Sequence, residues 1–217
     1  MIVALDGPAG VGKSTIASVL AEKAGFFYLN SGNFYREVTL SVIKNNIDPS
    51  DKEAIINNSC NISIRLTDGR IHLDGTDVED ELHNDRVDQY VAQHSAIVEI
   101  RKIVTEALRA AASNYDVVAE GRDITTVVFP DAEIKFYLDA SIDVRAERRF
   151  DQGTSSQRLD ELKESIRKRD EIDKNKPVGS LKLTDDAVYL DTSDLTIDEV
   201  CEKVLDKIHE QKTGFRR

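Results

Sequence analysis

The chain opens with an apolar run, Ile2 to Leu5, closed by Asp6-Gly7, the pattern of a buried parallel strand feeding a turn. Beyond the turn, Ile16, Val19, Leu20 and Ala24 recur at helical spacing, and Gly25 supplies a stop. Phe26 to Leu29 makes a second short strand, and Ser31 stands at the cap position before a helix carrying Phe34, Val38 and Val42. Residues 60–80 change period. The stretch CNISIRLTDGRIHLDGTDV alternates apolar and polar positions around Asp68-Gly69, which predicts a β-hairpin. Helical spacing returns over residues 83–112 through Val87, Val91, Ile97, Val104, Leu108 and Ala111, predicting one long helical region.

Three more apolar runs follow: Val117 to Ala119, Ile134 to Leu138 and Ala187 to Leu190. Each ends in or beside an acidic residue, Glu120, Asp139 or Asp191. A highly charged helical span, residues 142–174, lies between the last two and is interrupted by QGTSSQ. A capping box, Thr196-x-x-Glu199, opens a final helix with Val200, Val204, Leu205 and Ile208, and the tail KTGFRR reads as frayed. Five short apolar strands separated by helices predict a doubly wound, five-stranded parallel α/β sheet, with the hairpin as an antiparallel insertion. In such sheets ligands bind beyond the carboxyl ends of the strands.

Composition narrows the function classes. A chain of 217 residues with 40% apolar content can bury the core of a single domain with elaborations. Its net charge of -11 argues against a nucleic-acid partner. Cys60 and Cys201 lie far apart without a Cys-x-x-Cys, which argues against zinc and a disulfide framework and fits a reducing cytosol. MIVAL is too short for a signal peptide, and no apolar run approaches a membrane span. The expectation is a soluble cytoplasmic protein without a membrane partner.

The strongest chemical signal is DGPAGVGKST. Gly7-x-x-x-x-Gly12-Lys13-Ser14 is a complete P-loop pattern, placed after a strand and before a helix as its mechanism requires. The glycines let the backbone curl until several N–H groups face one anion, and the helix start adds its positive end. Gly7, Pro8, Ala9, Gly10, Val11, Gly12, Lys13, Ser14 and Thr15 are therefore expected to hold the phosphates of a nucleotide, with Lys13 on the β- and γ-phosphates and Ser14 ligating Mg²⁺. A regulatory GTPase is disfavoured: Asn175-Lys176 is followed by Pro177 and Val178, and no glycine has an Asp three residues before it. A kinase also needs cations to cover the transferring group. Arg145, Arg148 and Arg149 follow a strand end and suit that task, although a solvated helix face would look the same.

Three segments stand where an acceptor pocket would form: YLNSGNFYR (28–36), AEGRDITTVVFPDA (119–132) and IRKRDEIDKNK (166–176). Arg36 and Arg122 suit a phosphate monoester, since a guanidinium binds one in fork geometry. Asp123 can accept from an exocyclic amine. Arg169 and Asp173 are four apart on one helical face and can address one ligand or simply each other.

Taken with the P-loop, SG-x-x-YR, EGRD-I-x-TVVFPDA, RxER-R and RD-x-x-D, the chain resembles the bacterial cytidylate kinases, P-loop nucleoside monophosphate kinases, from first strand to last helix. The hairpin insertion matches as well. The resemblance implies transfer of the γ-phosphate of ATP to CMP or dCMP in pyrimidine metabolism, by a monomer. It implies a kinase domain with core 1–59, 83–141 and 177–217, a β-rich monophosphate-binding insertion at about 60–82 and a helical lid at about 142–176. By position, Ser31, Arg101 and Asp123 would read cytosine, Arg36 and Arg122 would hold the phosphate, and Arg169 and Asp173 the ribose. Tyr35 would shape the pocket, and Lys176 would lie near the base. Lys13, Arg122, Arg145 and Arg149 would serve catalysis. Arg101 comes from the resemblance alone. The family usually has Asp at Asn30, Gly at Thr126 and arginine at Lys176, so base selectivity is where this sequence departs. The competing readings are a P-loop kinase for another small acceptor and a non-catalytic nucleotide-binding module.

Overall fold

The computed structural model describes residues 1–67, 69–151 and 158–214. Asp68 of the hairpin turn, the QGTSSQ break and the last three residues of the tail lie outside the described residues. The chain divides into two compact units, one of residues 1–28 and 115–217, the other of residues 29–114.

The first unit contains strands β1 (Ile2–Asp6), β6 (Val117–Gly121), β7 (Ile134–Asp139) and β8 (Val188–Asp191), and the start of β2 (Phe27–Asn30). The strand order β2-β6-β1-β7-β8 is that of the expected five-stranded α/β sheet. β1 runs parallel to both neighbours, with Asp6 in register with Gly121 on one side and Tyr137 on the other. Val3, Ala4 and Leu5 are fully buried, which explains why β1 reads as a continuous apolar run instead of an alternation. Helices α1 (Lys13–Ala24) and α8 (Ile197–Gly214) pack together against the sheet. Ile16 and Leu20 meet Val200, Val204 and Ile208 over Leu5, Val118 and Phe136. The capping box is present: Thr196 Oγ1 accepts from the Glu199 amide at 3.3 Å, and Glu199 accepts from the Thr196 amide at 2.8 Å. The charged span forms α6 (Ile142–Asp151) and α7 (Leu159–Asn175), which join through Ala146, Leu162 and Ile166.

The second unit combines helices α2 (Ser31–Lys44), α3 (Lys52–Asn61), α4 (Asp85–His94) and α5 (Val98–Ala112) with strands β3 (Ile64–Thr67), β4 (Arg70–Leu73) and β5 (Thr76–Asp77). The hairpin is antiparallel as expected, and β5 adds a short third strand. α3 was not anticipated; Asp51 caps it by accepting from the Ala54 amide at 3.0 Å. The cap of α2 is Asn30, not Ser31, because the Asn30 carboxamide reaches the Asn33 amide and Ser31 is already helical.

The long helical region over 83–112 is two helices, not one. His94 is buried with its ring between Thr39 Oγ1 at 3.0 Å and the Pro49 carbonyl at 3.1 Å. Arg101 donates to the Ser95 carbonyl at 2.8 Å, and Ile97 adopts an extended backbone that restarts the helix. Apolar spacing continues across the break, so periodicity alone does not reveal it.

Glu37, on α2, is fully buried, and neither carboxylate oxygen has a hydrogen-bond partner among the described residues. Burial, with Asp74 and Glu79 adding repulsion, pushes its carboxyl from 4.5 up to about 9. The folded chain therefore keeps a proton that the unfolded chain releases, and stability falls as pH rises from 4.5 towards about 9. Glu37→Gln, which needs no such proton, is expected to raise the thermal midpoint at about pH 8 clearly more than at about pH 5. An equal gain at both pH values would contradict a protonated Glu37.

Candidate active site

The loop between β1 and α1 is shaped by what surrounds it. A side chain at Gly7 is impossible, since a Cβ there would lie 2.1 Å from the Leu138 carbonyl oxygen. Gly12 ends the loop with φ of 94° in the left-handed region and caps α1 without a side chain. The first amides of α1 thus meet no side-chain acceptor from their own cap, which suits an anion.

The loop's carbonyls are held by cations. Lys13 Nζ donates to Pro8 O at 2.9 Å, Arg145 Nη1 to Ala9 O at 3.0 Å and Arg148 Nη1 to Val11 O at 3.2 Å. All peptides here are trans, so a carbonyl turned towards a cation turns the following N–H away from it. The amides of Ala9, Gly10 and Gly12 are set in this way. Arg145 is itself fixed: it donates to Ala140 O at 3.0 Å and forks onto Asp170 at 3.1 and 2.8 Å, with both side chains buried. Arg148 completes its contacts on Thr192, to the hydroxyl at 3.1 Å and the carbonyl at 2.6 Å. Arg149 is half-buried and makes no hydrogen bond or ion pair among the described residues. Of the three arginines, it alone is not committed to the protein's own groups there.

Burial, reinforced by Arg122, pulls the Lys13 ammonium down to about 7, against the pull of Glu120 and Asp6. Ser14 Oγ donates to Glu120 Oε1 at 2.6 Å, and the Tyr28 hydroxyl donates to the same oxygen at 3.2 Å. A hydroxyl beside a carboxylate fits Mg²⁺, which takes one or two protein oxygens and fills its shell with water and phosphate. An all-protein cage is absent: no group of three or more His, Cys, Asp or Glu suited to a metal occurs among the described residues. The sequence showed Glu120 only as an acid ending a strand.

On the other side of the β6 end, Arg122 Nε donates to Asp173 Oδ2 at 2.8 Å, and Lys176 Nζ to Asp173 Oδ1 at 2.8 Å. Burial pushes the Asp173 carboxyl upward, but the two cations outweigh it and hold it down at about 2. Asp173 is thus a bridge between two cations. Arg169 is half-buried and close enough to Lys13 to depress its charge. Asp123 is buried at the start of a π-helical turn, Ile124–Val128.

A cavity of about 430 Å³ opens beside the loop, between Gly12, Thr15 and Arg148 on one side and Thr192, Leu195 and Ile197 on the other. Its size and mixed lining suit a flat heterocycle. No sequence motif marks it. Its only sequence signal is that Thr192 follows the last strand and Thr196 caps the last helix.

The family model for cytidylate kinase matches residues 3–210. The chain belongs to the cytidylate kinase family. It is 41% identical over 216 residues to the cytidylate kinase of Caldanaerobacter subterraneus subsp. tengcongensis, covering 98% of this chain and 96% of the relative. It is also 41% identical over 221 residues to cytidylate kinase 1 of Borrelia garinii subsp. bavariensis, with all of both chains covered. Among solved structures, shikimate kinase from Bacteroides thetaiotaomicron aligns with TM-score 0.50 at 12% identity over 96% of this chain and 98% of that one, a likeness of fold.

The remaining residues expected from this family lie in the second unit. Ser31 is buried in the first turn of α2. The Arg101 guanidinium lies 5.2 Å from the centre of the Tyr35 ring, a cation–π arrangement. Arg36 donates to the Leu82 carbonyl at 3.0 Å and to Asp88 at 2.6 Å. No helix among the described residues is long and apolar enough to cross a membrane.

Arg145 and Arg149, both expected to be catalytic, should separate experimentally. Arg145→Ala leaves Asp170 buried and unpaired and is expected to cost about 3–5 kcal/mol in urea unfolding. Arg149→Ala should stay within about 0.5 kcal/mol of wild type. Equal effects would contradict the assignment of Arg145 to the loop's scaffold.

Proposed function

We propose that this chain transfers the γ-phosphoryl group of ATP to the 5′-phosphate of CMP or dCMP, giving CDP or dCDP. The observation that carries this is a phosphate cradle with its carbonyls held by three cations, in a chain that matches the cytidylate kinase family over residues 3–210. The loop from Gly7 to Thr15 takes the triphosphate, and the cavity bounded by Arg148, Thr192 and Ile197 takes the base of the donor. Ser14, with Glu120 behind it, would hold Mg²⁺, which supplies charge neutralisation on the phosphates when bound.

The nucleophile is a phosphate oxygen already ionised near neutral pH, so the site needs no strong general base. Its work is positioning and neutralising charge. Burial and Arg122 pull the Lys13 ammonium down to about 7, and a triphosphate beside it would restore its full charge, because the anion offsets what depresses it. Lys13 then leaves the Pro8 carbonyl for the phosphates. We assign Arg122 and Arg36 to the acceptor phosphate, Asp123, Ser31 and Arg101 to cytosine, and Arg169 and Asp173 to the ribose, with Tyr35 shaping the pocket. Lys176 orients Asp173 near the base. Residues 142–176 act as the lid. Arg145, although expected in catalysis, serves the cradle from behind; Arg149 is the lid cation assigned to the transferring group. We take the chain to act as a cytoplasmic monomer, without nucleic-acid or membrane partners.

The test is ATP turnover, with ADP and the diphosphate product both quantified, against CMP, dCMP, UMP, AMP, GMP and no acceptor. Turnover with CMP and dCMP well above the others is expected. Comparable turnover with UMP would move the discrepancy to the base pocket around Lys176. ATP binding without monophosphate-dependent turnover would overturn the enzymatic reading in favour of a nucleotide-binding module.

A further inference from the structure

Arg122 and Asp123 form a two-residue span between the end of β6 and the π-helical turn Ile124–Val128. Both ends of that span are tied to one residue. Gly121, immediately before it, is paired in register with Asp6 of β1. Ile124, immediately after it, donates its amide to Asp6 Oδ1 at 2.9 Å. Thr125 adds two bonds to the other carboxylate oxygen, from its amide at 2.8 Å and its hydroxyl at 2.6 Å. Asp6 is also the residue before Gly7, where the phosphate loop begins.

The arrangement answers a local need. The first amides of a helical turn lack partners within it, and Asp123, which begins this one, makes no side-chain cap bond. Asp6 supplies the missing acceptors from a neighbouring strand, and its negative charge suits the start of a helical turn. It is wholly buried, and burial raises its carboxyl to about 6 even though the bonds from Thr125 and Ile124 pull it down. Three donors converge on two carboxylate oxygens. A carboxamide offers one oxygen and would present its own N–H₂ to the donors left over.

We propose that Asp6 is a positioning residue for the acceptor: through its bonds to Ile124 and Thr125 it sets Arg122 and Asp123 at a fixed place relative to the phosphate loop. The proposal rests on the reading of the chain as a nucleoside monophosphate kinase. Asp6 touches neither substrate. Its effect reaches the acceptor through the turn.

Asp6→Asn in the full chain tests this with two readouts, amide hydrogen exchange and the KM of each substrate. Exchange at Ile124 and Thr125 should quicken by about tenfold or more, and KM for CMP should rise about tenfold or more while KM for ATP moves less than about threefold. Thr125→Val removes only the hydroxyl bond; it should raise KM for CMP by about twofold to threefold, again sparing ATP, and it decides the question if Asp6→Asn does not fold. Unchanged exchange with unchanged KM would overturn the proposal. So would equal rises in both KM values, which mark general loosening. Wild type that prefers another monophosphate would correct only the functional reading, and Asp6 would then be judged on the KM for that monophosphate. Wild type with no monophosphate turnover would overturn both.

Discussion

The β1–α1 loop depends on a buried ion pair. Arg145, on α6, and Asp170, on α7, are 4% and 6% exposed, in the range where an unpaired charge would be prohibitive. The pair is tolerable because four of the guanidinium's five donors are used: two on Asp170, one on Ala140 O and one on Ala9 O. That last bond gives the pair its consequence. It fixes a peptide of the phosphate loop with its carbonyl outward, as Arg148 does at Val11. The neighbouring N–H groups are then preorganised, so they need not reorient when an anion arrives.

A second constraint follows from placing so many cations together. Burial, with the charge of Arg122 beside it, brings the Lys13 ammonium down to about 7. Glu120 and Asp6 pull the other way on Lys13, and Asp173 is held between Arg122 and Lys176.

Much of this was readable in the sequence. The five short apolar runs gave the sheet, because parallel strands buried on both faces need no alternation to be recognised. The P-loop was legible because its mechanism demands glycine, lysine and serine at fixed spacing. Side-chain partnerships were harder. Arg145, Arg148 and Arg149 look alike in a charged helix, and only three-dimensional packing distinguishes an arginine bound to Ala9 from one with no bond among the described residues. Asp173 stood four residues from Arg169 and invited a helical pair; it also bridges Lys176 and Arg122, the latter distant in sequence. Ser31 looked like a cap, but Asn30, one residue earlier, has the longer acceptor that reaches the Asn33 amide. The break at Ser95–Ile97 depends on His94 and Arg101 reaching carbonyls that no local pattern reveals.

The most direct measurement of the central claim is a crystal structure with a non-hydrolysable ATP analogue and Mg²⁺. The polyphosphate is predicted to lie on the amides of the loop, with Lys13 transferred from the Pro8 carbonyl to the phosphates and Arg145 still bonded to Ala9 O and Asp170. A structure in which Arg145 has left Asp170 to contact the phosphates, or in which the analogue binds away from the loop, would contradict it.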